Sequence, residues 1–103
     1  MENEIIEKPQ MEVIEQMADL LKVASDFTRL HILYSLAGGD LCVGDIALDV
    51  GCSQSLVSHQ LAVLRKWKLV KCEKIANRVV YSLDDYHIVD LLKLVEDHIK
   101  ESD

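Results

Sequence analysis

Apolar positions recur along this chain with a helical period for about two thirds of its length. They then change to strand-like spacing, and return to the helical period at the end. Over 11–24, Met11, Val13, Ile14, Met17, Ala18, Leu20, Leu21 and Ala24 fall at helical spacing and predict a first helix, α1. Ser25 or Asp26 can cap a second helix, α2, over 26–37, with Leu30, Ile32, Leu33 and Leu36 as its apolar positions and Gly38-Gly39 ending it. Residues 45–50 predict a short α3 closed by Gly51. Ser53 is placed to cap α4, 54–66, which is expected to bury Leu56, Val57, Leu61 and Leu64.

After Trp67 the segments 69–75 and 78–83 are rich in Val, Ile and Tyr and predict two strands, β1 and β2. Ala76-Asn77 is the tight turn between them, since Asn tolerates positive φ. Asp84-Asp85 then caps a last helix, α5, over 86–101. Repeats, low-complexity segments and internal linkers are absent, so residues 1–103 read as one domain, with the polar, acidic residues 1–10 as a flexible N-terminal arm. A short helix, a glycine turn, a capped second helix and a hairpin form the plan of a mainly α (α+β) winged helix-turn-helix, in the order α1-α2-α3-α4-β1-β2-α5.

Charge sharpens this picture. The net charge of −7 argues against a nucleic-acid partner, but its distribution argues for one. Residues 53–83 carry +5, from Arg65, Lys66, Lys68, Lys71, Lys74 and Arg78 against Glu73, while the segments on either side are acidic. The N-terminal half of α4 offers Gln54, Ser55, Ser58, His59 and Gln60. A recognition helix enters the major groove by that end, where Gln can bond adenine and Ser a base or a phosphate. The cations that follow suit phosphate contacts. A solvated helix beside a basic hairpin is the plainer alternative.

The last helix carries a second kind of chemistry. Asp85, His87, His98 and Glu101 are all good metal ligands. At ~1.5 Å of rise per residue His87 and His98 lie roughly 16 Å apart, too far for one ion with bonds of about 2 Å. Eleven residues are nearly three turns, so the two share a face. A second, antiparallel copy of the helix would bring Asp85 and His87 of one chain to His98 and Glu101 of the other, twice by symmetry. The spacing therefore predicts a homodimer whose two-fold axis passes near Leu91 and Leu94. Two imidazoles and two carboxylates in a closed set favour Zn(II), with cobalt as a mimic. Spacing alone leaves open an acidic, histidine-bearing dimer seam without metal.

Four segments carry a family resemblance. Ser25-Asp26-Phe27-Thr28-Arg29-Leu30 resembles an S-D-P-T-R-L motif, and Asp40-Leu41-Cys42-Val43-Gly44-Asp45-Ile46 resembles an E-L-C-V-C-D-L box. Ser53 through Leu61 and the Asp-x-His-x10-His-x2-Glu pattern of α5 complete the set. The chain resembles the metal-sensing repressors of the ArsR/SmtB family, above all their zinc sensors, over nearly everything past residue 20. The resemblance implies a winged helix paired through α1 and α5, with zinc at Asp85, His87, His98 and Glu101. It implies a repressor that holds double-stranded operator DNA without metal, releases it on binding Zn(II), and controls metal efflux or resistance genes. It also implies a coupling route in which His98 donates to the backbone carbonyl of His59. Co(II) or Ni(II) could take the same site.

Gly44 stands where the family's thiolate-rich site needs a second cysteine beside Cys42, which makes arsenite, cadmium and lead poor inducers. Cys42 is then expected to be a small buried residue, and His31 a structural one. Three cysteines without a Cys-x-x-Cys pair, and no apolar run of membrane-spanning length, fit a cytoplasmic protein with no membrane partner. A zinc hydrolase would keep an open coordination position and needs a nucleophile–base set; neither is visible, so no enzyme is expected. The competing reading is a metal-independent winged-helix regulator that responds to redox state or a small ligand.

Overall fold

The computed structural model describes residues 5–101. Its elements run α1 (Met11–Ala24), α2 (Phe27–Ala37), α3 (Val43–Val50), α4 (Gln54–Lys66), β1 (Val70–Ile75), β2 (Arg78–Leu83) and α5 (Tyr86–Glu101), the order expected from the sequence. Residues 5–10 of the anticipated arm are exposed and have no regular structure; the rest of it lies outside the described residues. Among the described residues no helix is long and apolar enough to cross a membrane.

Local chemistry sets most boundaries. Asp26 accepts from the Arg29 backbone N–H at 3.1 Å, and Ser53 Oγ accepts from Leu56 N–H at 3.1 Å, so each caps the helix that follows. Gly51 ends α3 with φ 72°, a left-handed conformation that costs glycine nothing. α3 starts at Val43, two residues before the expected 45, because extended Cys42 takes the capping position although its side chain makes no capping bond. Cys42 is also half-buried, not buried.

The hairpin pairs Val70 with Leu83 through Ile75 with Arg78. Its turn residues Ala76 and Asn77 have φ 49° and 69°, the positive pair that a twisted two-residue hairpin loop requires. Leu41 adds a short third lane, exchanging backbone hydrogen bonds with Tyr81 at 3.0 and 2.8 Å. The hairpin is thereby tied to the segment leading into α3.

The core is built by Ile32, Leu33 and Leu36 of α2, Ile46 and Ala47 of α3, and Val57, Leu61 and Leu64 of α4. Leu69, Val70 and Leu92 close it. Leu56 departs from expectation and is 41% exposed. α4 packs by its 57, 61, 64 stripe, and residue 56 lies about 100° off that stripe. α1 contributes little to this core. Met11, Met17 and Leu21 remain 68%, 49% and 49% exposed, so its apolar face is presented outward.

Candidate DNA-reading face and metal-ligand helix

The packing stripe of α4 decides which side chains face solvent. With Val57, Leu61 and Leu64 inward, Gln54, Ser55, Ser58 and His59 are all exposed. Gln60 is half-buried instead, and its amide oxygen accepts from Arg29 Nη1 at 3.0 Å. Gln54 lies over Gly44, its Nε2 3.5 Å from where a Cβ on that glycine would sit. Arg65 and Lys66 occupy the last turn of α4, where cations complement the negative helix end. Lys68, in a left-handed conformation at φ 58°, turns the chain from α4 into β1. Lys68, Lys71, Lys74 and Arg78 are exposed, so the cations of the basic segment are free of the core. Arg78, beside the hairpin turn, stands 4.0 Å from Asp45 on α3.

Arg29 joins the site without any signal in the residues around it. Its Nε donates to the Val23 carbonyl at 2.7 Å, in the last turn of α1, while Nη1 reaches Gln60 on α4. A single guanidinium thus spans three helices. Its sequence neighbours give no hint of a partner 31 positions away.

At the other end of the chain, Asp85 sits just before α5 and comes together with His87. Asp85 Oδ1 accepts from the His87 backbone N–H at 2.8 Å and lies 3.3 Å from His87 Nδ1. The His87 side chain is 92% exposed, so it is open to an incoming partner. His98 and Glu101 are exposed on the final turns of α5. Among the described residues no three His, Cys, Asp or Glu side chains of one chain gather into a metal site, as their spacing along one helix dictates. Leu94 is 68% exposed and Leu91 half-buried. His31 is exposed on α2, its ring edge-on to Phe27 at 5.9 Å between centroids.

Between α1, α2 and α5 lies an apolar groove of about 470 Å³, lined among others by Leu21, Leu33, Leu91, Val95 and Ile99. Tyr34 of α2 stands at its edge and donates its hydroxyl proton to Glu96 of α5, which also accepts from Lys100. The bond to Glu96 is the main reason that the Tyr34 phenol is pushed up to about 12. Lys100 first, then Tyr34, holds the Glu96 carboxyl below its ordinary value, and Glu96 raises Lys100 in turn.

Comparison with known proteins places this architecture. Residues 26–71 match the family model described as bacterial regulatory protein, arsR family. A transcriptional repressor SmtB homologue from Synechocystis is 43% identical over 89 residues, which are 86% of this chain and 67% of that protein. A cadmium resistance transcriptional regulatory protein, a CadC homologue from Staphylococcus aureus, is 37% identical over 82% of this chain and 71% of its own length. A homodimeric winged helix-turn-helix DNA-binding domain from Mycobacterium bovis superposes with a TM-score of 0.82 at 27% identity, covering 88% of this chain and 84% of that one.

Proposed function

The chain belongs to the ArsR family of bacterial regulatory proteins, and from that premise we propose that it is a repressor whose hold on operator DNA is released by Zn(II). Its relatives regulate transcription and are not enzymes. The homodimeric M. bovis domain, together with the outward apolar faces of α1 and α5, supports assembly as a two-fold dimer through those helices. Two α4 helices then present Gln54, Ser55, Ser58 and His59 to successive half-sites. Arg65, Lys66, Lys68, Lys74 and Arg78 hold phosphates, and Gln60 acts from within the fold through Arg29.

The observation that carries the metal reading is the meeting of Asp85 with His87 at the cap of α5. The sequence shares this helix cap between a carboxylate and an imidazole two residues apart, which on a regular helix would diverge. The cap geometry turns both to one point, half of a four-donor set. His98 and Glu101 of the second copy, three residues apart and so on one face, supply the other half. Oxygen and nitrogen donors in equal number suit zinc, with Co(II) or Ni(II) as chemical neighbours. Bound there, the ion supplies a positive centre that ties the two protomers together. The proposed route to the DNA runs from His98, through its second ring nitrogen, to the backbone carbonyl of His59 on α4. Metal and DNA then weaken each other by the same factor.

The test uses a fluorescent duplex selected by the protein itself from a random pool. Adding Zn(II) should lower its affinity by roughly 5–150-fold, the usual span of such coupling, with one metal bound per protomer. An affinity unchanged by Zn(II), Co(II) and Ni(II) would overturn the metal reading and leave a metal-independent regulator of the same fold.

A further inference from the structure

The bonds of Arg29 connect the two parts of the molecule whose relative placement decides how a dimer reads DNA. Val23 lies in the final turn of α1, a helix whose apolar face is turned outward, and its carbonyl is one of those that a helix leaves unpaired at its C-terminus. Gln60 lies on α4 among the reading residues, but half-buried. Arg29 bonds both, at 2.7 and 3.0 Å, through nitrogens fixed in one planar fork. Its own backbone is held by the Asp26 cap at 3.1 Å. The fork therefore cannot turn toward one partner without leaving the other.

We propose that Arg29 is a positioning residue that sets the half-site spacing the dimer accepts, by locking the angle between α1 and α4. The proposal rests on the reading that two copies occupy two half-sites. Adding one base pair between half-sites displaces the second by about 3.4 Å and turns it about the duplex axis. Reading heads held rigidly on the dimer helices discriminate against that change. Heads freed from the clamp follow it.

The experiment measures affinity for duplexes carrying the selected half-sites at the preferred spacing and at spacings one and two base pairs longer or shorter. The readout is the ratio between preferred and altered spacing, which a general loss of stability or of charge does not move. In Arg29→Ala the ratio falls by roughly tenfold, the factor that one charge-assisted hydrogen bond carries. Gln60→Leu, which keeps Arg29 and its bond to α1, loses the ratio as well. Gln60→Glu, which still offers an acceptor, keeps it even if affinity drops at every spacing. These two variants decide the matter if Arg29→Ala does not fold. Affinity falling by one factor at all spacings in Gln60→Leu, and in Arg29→Ala where that variant folds, would overturn the proposal. A wild-type protein indifferent to spacing would sink the two-half-site reading itself and the clamp with it; a wild type that discriminates while the variants match it sinks only the clamp.

Discussion

Tyr34 on α2 donates its hydroxyl proton to Glu96 on α5, and this bond fastens the helix bearing the candidate ligands to the core beneath the reading head. The hydroxyl also stands 3.2 Å from the Leu92 carbonyl. It has one proton to give, and the carboxylate is the stronger acceptor.

The bond has a pH signature. Because Glu96 favours the protonated phenol, the Tyr34 value lies above the ordinary 10, at about 12. A raised value means that the stabilisation is complete below pH 10 and is lost as pH rises through about 12. Subtracting the ultraviolet ionisation curve of Tyr34→Phe from that of the wild type should isolate a phenol with its midpoint near 12. A difference curve centred on 10 would show that the bond does not persist in solution.

His98→Asn is expected to hold operator DNA but to lose the zinc-driven fall in affinity, a coupling of roughly 1–3 kcal/mol. Fluorescence anisotropy with and without Zn(II) measures it. Full release of DNA from this variant on zinc addition would remove His98 from the route.

Leu94→Glu places a charge on an apolar position that is 68% exposed in one protomer. Sedimentation should show a shift toward monomer with helix content retained, because Leu94 does not belong to the protomer core. An unchanged dimer would move the seam elsewhere.

Lys74→Ala and Arg78→Ala should each lower the slope of log affinity against log salt by about one, with little change in sequence preference. The Arg78–Asp45 pair is 4.0 Å apart with side chains 68% and 56% exposed, so its loss should cost at most ~1 kcal/mol of stability. Affinity and urea midpoint falling together would show that the hairpin is held by that pair after all.

Ser53→Ala removes the cap of α4 and should destabilise the fold by about 1 kcal/mol, read from the urea midpoint. DNA affinity should fall with it, since the capped turn carries Gln54 and Ser55. An unshifted midpoint would mean that water replaces the Ser53 hydroxyl at no cost.

Local signals made the elements readable from sequence. Asp26, Ser53 and Gly51 are caps whose chemistry acts within a few residues, and Ala76-Asn77 is a turn that sits where its residues allow. The start of α3 was hidden because Cys42 offers no capping oxygen. The exposure of Leu56 is not legible, because an apolar residue one position from a packing stripe cannot be told by sequence from one within it. The pairing of Asp85 with His87 was legible, since a cap overrides the regular helix geometry that would separate them. Arg29–Gln60 and Tyr34–Glu96 were not, because each joins residues brought close only by the packing of whole helices.

Gly44 borders the start of α4, which bears on how such a protein can change. The amide of Gln54, the first residue of α4, lies 3.5 Å from where a Cβ on this glycine would sit. A Cβ on Gly44 would fit at ordinary contact distance, and a thiol beyond it would meet the flexible end of the Gln54 side chain. A side chain gained at position 44 would therefore be felt first at Gln54, the residue that opens α4.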